Sequence, residues 1–263
     1  RLLVAGGDRD AAPALMTTPN EHAQPLLSLR DIQFAWQTSA PPVLVLPALH
    51  LAAGERVFIS GASGSGKSTL LSLISGVAQP DQGEIIMLGQ NLTAMSHGQR
   101  DRFRADQLGI VFQLFNLVPY LSILENIVLP CRFSRQRMQR LAQLHRTPEQ
   151  EAARLLAHLE LDQQSLASRP VVELSIGQQQ RVAVARALIG QPALIVADAP
   201  TSALDEGMSE RFINLLLSET AASNTAVLFV SHDLRLAGQF DRHLRFGQLN
   251  QAGAVAQASG ASQ

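Results

Sequence analysis

Apolar and polar positions along the chain switch between two periods. Leu27–Phe34 and Arg56–Ser60 read as strands, and 109–113, 193–198 and 226–231 are further apolar runs of strand length. The second strand ends in a glycine-rich turn, followed by an apolar helical stretch over 68–76. From about 93 to 169 the pattern is mainly helical, with Ala153, Leu156 and Leu159 at helical spacing inside 149–161. Strands alternating with helices predict an α/β fold, a mixed sheet flanked by helices, with the middle region inserted between two parts of that sheet. No repeat or heptad run interrupts this pattern. Residues 1–25 carry scattered Gly and Pro with no periodicity and are expected to be a flexible lead-in, with Met16 a candidate natural start. The stretch 249–263, largely Ala, Gly, Ser and Gln, is expected to be a flexible tail, which leaves 26–248 as the folded domain.

Composition narrows the class. Of 263 residues, 46% are hydrophobic and only 16% charged, against roughly 25% charged in an average soluble domain. The core is amply supplied and the surface is unusually apolar. Net charge is −1 and the isoelectric point about 6.7, without the basic excess of a dedicated nucleic-acid binder, so no nucleic-acid partner is expected. The longest apolar stretches, such as 43–53 and 193–199, fall short of the roughly 18–20 residues a bilayer-crossing helix needs. Cys131 is the only cysteine, so an internal disulfide and a cysteine metal site are excluded, which suits a reducing cytoplasm.

The glycine-rich turn is chemically specific. Gly61, Ala62, Ser63, Gly64, Ser65, Gly66, Lys67 and Ser68 follow the pattern Gly, four residues, Gly-Lys-Ser, between a predicted strand and a predicted helix that runs on through Thr69. Such a turn folds its backbone N–H groups into an anion-binding nest at a helix N-terminus. Lys67 would reach the β- and γ-phosphates of a nucleotide, and Ser68 would bind the accompanying Mg2+. A second apolar strand ends at Asp198, the form expected of the carboxylate that holds Mg2+ through water. The segment Leu174-Ser175-Ile176-Gly177-Gln178 opens a helix whose start offers a hydroxyl, N–H groups and a positive dipole end, all suited to a phosphate.

With Ser202-Ala203-Leu204-Asp205 and Ser231-His232-Asp233 further on, the order of motifs resembles the ATP-binding cassette (ABC) ATPases over residues 26–248. The resemblance implies a phosphate-loop ATPase core with an inserted α-helical signature subdomain at about 99–180, and ATP with Mg2+ as cofactors. It implies that Gln113 joins the magnesium site to the helical subdomain, that Trp36 stacks on adenine, with Phe34 the competing aromatic, and that His232 contacts the γ-phosphate. Ser175, Gly177 and Gln178 would face nucleotide held by a second subunit, and Asp205 would couple the two sites, in a homodimer sandwiching two ATP molecules. Ile176 stands where the family more often has Gly.

One departure from the family is chemical. Hydrolysis-competent members carry Glu after the strand-end Asp, whereas here Ala199 follows Asp198. Alanine has no proton acceptor, and a general base contributes about 10²–10⁴-fold to rate. The expectation is Mg-ATP binding and dimerisation with strongly impaired hydrolysis, in either a trapped variant of an active enzyme or a naturally degenerate site.

After Gln113 comes a long apolar segment that resembles the corresponding part of the lipoprotein-releasing and macrolide-exporter ATPases. The resemblance implies an integral membrane permease with a large periplasmic domain, docked near residues 115–129, and a peripheral location on the cytoplasmic face of the inner membrane. Arg132, Arg135, Arg137, Arg140 and Arg146 follow as a basic cluster, readable as a solvated helix face or as a contact to the permease edge or to anionic headgroups. Two function classes stand: the ATP-binding motor subunit of a transporter, and an ATP-dependent regulatory switch on a membrane complex that does not transport.

Overall fold

Strands buried on both faces read as unbroken apolar runs, and three of them build the centre of this protein. The computed structural model describes residues 24–38, 40–161, 170–202 and 206–253. In chain order these form β1 (Leu27–Phe34), β2 (Leu44–Leu51), β3 (Arg56–Ser60), α1 (Lys67–Ile74), β4 (Gln82–Met87), β5 (Gln90–Asn91), α2 (His97–Gln107) and β6 (Leu108–Val111). There follow α3 (Ile123–Phe133), α4 (Arg135–Gln143), α5 (Pro148–His158), α6 (Ile176–Leu188), β7 (Leu194–Asp198), α7 (Glu206–Ala222), β8 (Ala226–Val230), β9 (Arg242–Arg245) and α8 (Phe246–Leu249).

Among the described residues the strands form two sheets rather than the single one expected. One is antiparallel with order β2-β1-β4-β5, and the other is parallel with order β6-β7-β8-β3-β9. Alternation along each central parallel strand divides the interior in two. Val57, Ile59, Leu194, Val196, Leu228 and Val230 pack with β1, β2 and α1 between the sheets. Phe58, Ile195, Ala197, Val227 and Phe229 face the other way, onto α3, α5, α6 and α7. The antiparallel sheet exists as a separate layer because its strands bury one face only, as the mixed burial of β1 and β2 shows.

The helical insertion is the run α3 to α6 between neighbouring strands β6 and β7. Three of its four helices start at capping boxes, Ser122 with Glu125, Thr147 with Gln150 and Ser175 with Gln178, each of which satisfies orphan N–H groups on both sides. Asn126 is fully buried on α3 and pins the preceding loop: it accepts from the Val118 N–H and donates to the carbonyls of Val118, Leu121 and Ser122.

Arg137 of α4 is the largest fully buried side chain. Its guanidinium donates to the carbonyls of Ala105 (2.8 Å), Leu108, Ala187 and Ile189. It thereby closes the C-terminal ends of both α2 and α6 with donors that match unpaired carbonyls. Gly190 leaves α6 at φ +70, and a Cβ there would lie 2.6 Å from Arg137 Cβ, so both conformation and space demand glycine. Burial holds the Arg137 pKa down at about 10, so carbonyl dipoles rather than a paired carboxylate carry the charge. Arg137→Met should cost about 3 kcal/mol by leaving buried carbonyls without donors, whereas Arg132→Met, at an exposed position, should stay within about 0.5 kcal/mol; urea unfolding of both variants checks this difference.

Candidate functional site

Parallel strands carry their C-terminal ends to one edge of the sheet, where ligands of α/β folds bind. At that edge the chain leaves β3 into the 61–66 loop, β7 at Asp198, β8 into Ser231 and His232, and β6 toward Gln113. Together they line a cleft of about 650 Å3. Of the residues expected at the site, Trp36, Gly61, Ser63, Gly64, Gly66, Lys67, Ser68, Thr69, Gln113, Asp198, Ala199 and His232 all line it. Ala62 and Ser65 belong to the same loop and hold its shape, the Ser65 N–H donating to the Ala62 carbonyl at 3.3 Å.

The loop is built to receive an anion. Gly66 caps α1 at φ +102 with no side chain closing the helix, so the first-turn N–H groups point outward. A Cβ at Gly66 would also lie 3.2 Å from the Val43 carbonyl, so the backbone passes too close to β2 for any larger residue. Lys67 folds over the loop and donates to the carbonyls of Gly61 (2.9 Å) and Ala62 (2.6 Å). It is the only lysine among the 263 residues. Burial lowers its pKa and the neighbouring Asp198 opposes that shift. Ser68 Oγ donates to Asp198 Oδ2 at 2.9 Å. Hydroxyl and carboxylate thus meet at one point, with the Gln113 amide lining the same cleft, a set of oxygen donors that suits a hard cation such as Mg2+.

Trp36 is 62% exposed at the mouth of the cleft, while Phe34 is buried and meets it edge-on at 4.9 Å. The exposed indole is therefore the aromatic free to stack on a base. Ala199 adopts φ +43, a left-handed conformation costly for a residue with a Cβ. Neighbouring segments hold it there: its N–H donates to the Val230 carbonyl (2.9 Å), and the buried Gln180 of α6 donates to the Pro200 carbonyl (2.8 Å).

Ser175, Gly177 and Gln178 lie outside the cleft, at the N-terminus of α6. Ser175 Oγ accepts the Gln178 N–H, which leaves its own hydroxyl proton free to be donated outward. Ile176 is 54% exposed beside it. Gly177 packs inward, where a Cβ would meet the Met208 Cε at 2.5 Å. Asp205 lies outside the described residues.

Three supports of the site were not legible in the motifs. Asn250 donates to the carbonyls of Val43 (2.9 Å) and Ser65 (3.2 Å), and accepts from the Val45 N–H. Phe246 is fully buried, its Cβ 3.0 Å from where a Gly61 Cβ would stand. The tail expected to be flexible from 249 is thus fixed at its start against the phosphate loop, because Asn250 supplies donors and an acceptor to backbone that no strand pairs. Arg186 of α6 is the third, donating to the carbonyls of Phe115 (2.6 Å) and Asn116 (2.7 Å). Both residues have positive φ, 58 and 48, just beyond Gln113.

The apolar segment at 115–129 is divided between interior and surface: Tyr120 is 85% exposed, and Leu114 just before the segment 83%, while part of its helix turns inward. Phe115, Ile123, Ile127 and Val128 are buried because α3 turns its apolar stripe onto α6 and α5. Beside this segment lies a groove of about 580 Å3 lined by Phe112, Asn116, Pro130 and Phe133 together with Arg102, Arg104 and Arg186. Cys131 is buried and its thiol is pushed up to about 11, which fits a packing role. Among the described residues no helix is long and apolar enough to cross a membrane.

Residues 47–202 match the family described as "ABC transporter". The chain is 39% identical over 230 residues to the lipoprotein-releasing system ATP-binding protein LolD of Pseudomonas fluorescens, covering 85% of this chain and 96% of that protein. It is 37% identical to the macrolide export ATP-binding/permease protein MacB of Pasteurella multocida, over 83% of this chain but only 32% of that longer protein. The structure is similar to the dimeric ATP-binding cassette MJ0796 solved with ADP and Pi, with a TM-score of 0.71, 32% identity and coverage of 84% of this chain and 95% of that one.

As the chain has one lysine, an amine-directed acylating reagent should modify one side chain, Lys67, and ATP should slow that reaction severalfold, its phosphate charge favouring the ammonium form and its bulk covering the amine; peptide mass mapping with and without ATP reads both, and a rate indifferent to ATP would refute the assignment.

Proposed function

The chain belongs to the ABC transporter family of ATP-binding domains, and from that premise we propose that it is the ATP-binding subunit of a membrane transporter complex whose own site binds Mg-ATP but turns it over slowly. The observation that carries the proposal is the convergence of Lys67, Ser68, Asp198, Gln113 and His232 on one cleft in which position 199 offers only a methyl group. In this reading the 61–66 loop and the α1 N-terminus hold the phosphates, and Trp36 stacks on the base. Ser68 and Asp198 hold the cation, which when bound offsets phosphate charge.

A second copy completes each site. Ser175 lies at the surface at the start of α6 with Ile176 exposed beside it, which supports use of this helix end against nucleotide held by the other subunit. The 580 Å3 groove between α2, α3 and the Gln113 loop is the proposed seat of a permease segment. The naming of LolD and MacB relatives supports a permease of their kind and a peripheral place at the cytoplasmic face of the inner membrane. Pressure on that groove would reach Gln113 directly and α6 through Arg186.

Ala199 also favours a second reading, a regulatory switch in which ATP binding alone sets the assembly state. Both readings predict low turnover in this chain. Ala199→Glu should raise steady-state ATP hydrolysis by about 10² or more, while quenching of Trp36, the only tryptophan, by ATP stays comparable in the two forms. Equal and rapid hydrolysis in both would overturn the proposal.

A further inference from the structure

The run of arginines from the last turn of α3 onward divides in the structure, and the division leaves a surface the ATP site does not use. Arg137 is consumed by main-chain carbonyls in the core. Arg140 donates to the carbonyls of Asp106, Gly190 and Gln191. Arg146 pairs with the buried Glu151 at 2.8 Å. These three explain themselves as structural. Arg132 and Arg135 are exposed and make no hydrogen bond or close ion pair among the described residues, Arg132 feeling only a longer-range attraction to Glu125. Arg102, from α2, is exposed and unpartnered in the same way and lines the same shallow depression of about 840 Å3.

Two further observations give this surface a character. Phe133, 72% exposed, stands between Arg132 and Arg135, with Met138 exposed a turn further on. The one carboxylate in the lining, Asp106, is buried and already accepts from the Ser134 hydroxyl. Asp101, next to Arg102, is engaged by Arg104 at 2.5 Å. Three uncommitted guanidiniums around an exposed aromatic, with no free acid among them, match an array of lipid phosphates bordering hydrocarbon. They suit a mobile array better than one fixed carboxylate, because nothing in the fold pre-orients them. The whole chain carries a net charge of −1, so such an attraction must be local.

We infer that Arg102, Arg132, Arg135 and Phe133 form a contact for the anionic phospholipid surface of a membrane. Arg102 and Phe133 also line the proposed permease groove, so the orientation toward the membrane rests on that reading, but binding to lipid does not. Each arginine near an anionic surface contributes about fivefold in partitioning, so three give on the order of a hundredfold, a weak hold suited to a subunit also held by a partner.

The test is co-sedimentation of the full chain with vesicles of phosphatidylcholine alone and with about one-third phosphatidylglycerol, without nucleotide or permease. Retention is expected only on the anionic vesicles and should fall with added salt. The triple variant Arg102→Gln, Arg132→Gln, Arg135→Gln should lose it by on the order of a hundredfold, and Phe133→Ser should weaken it. A charge-matched control, Arg30→Gln, Arg211→Gln, Arg245→Gln, changes exposed arginines elsewhere and should retain binding. Equal loss in both triples, or no retention of the unaltered chain on anionic vesicles, would overturn the inference. So would a need for the three arginines only in binding an acidic protein segment. Either failure leaves the ATP site untouched, since nucleotide binding is read separately by Trp36.

Discussion

The parallel alignment of β6, β7, β8 and β3 is the constraint on which the rest depends. Because these strands run the same way, Gln113, Asp198, His232 and the phosphate loop all emerge at one edge, although they lie far apart in sequence. The alignment is held by side chains buried on both faces, between the antiparallel sheet and α1 on one side and α6 and α7 on the other. At roughly 25 cal/mol per Å2 of apolar surface buried, this two-sided packing is the main term fixing the strands. Ser68 and Asp198 meet at 2.9 Å across the intervening strand β8 as a consequence of that register. A one-residue slip of β7 would turn the Asp198 carboxylate away from the cleft.

How much was legible in the sequence follows from the same packing. Strands β1, β3, β7 and β8 are heavily buried, and their apolar runs announce them. Strand β2 lies at a sheet edge and contains Pro47, which masks it, since proline is tolerated only where no ladder bond is needed. Strand β9 reads Arg-His-Leu-Arg and β4 begins with exposed Gln82, Gly83 and Glu84, so neither shows a strand's alternation. The motif residues were readable because phosphate chemistry restricts them to few types at fixed spacing. Asn250, Arg186 and Gln180 were not, because each acts on main-chain carbonyls, which leave no trace in the identity of the partner residue. The arginine cluster failed for the opposite reason: five like residues in one stretch have three different environments, and only tertiary structure separates them.

The corner at Ala199 joins these threads. Its left-handed backbone is held by β8 on one side and by Gln180 of α6 on the other, so the signature helix and the strand end are mechanically tied within one chain. Arg186 ties the same helix to the loop after Gln113. A ligand at the α6 N-terminus and a partner in the α2–α3 groove therefore bias one connected element, with the nucleotide cleft between them. The loop that would order phosphates is in place while position 199 carries no proton acceptor; on the proposed reading, ATP is a binding ligand that holds two subunits together rather than a fuel quickly spent.

Sedimentation velocity of the full chain at saturating Mg-ATP tests that claim most directly. The account predicts a shift from monomer to dimer that persists over hours, because phosphate release is too slow to dissolve it. A sedimentation coefficient unchanged by Mg-ATP, or a dimer that decays at the pace of phosphate release, would contradict it.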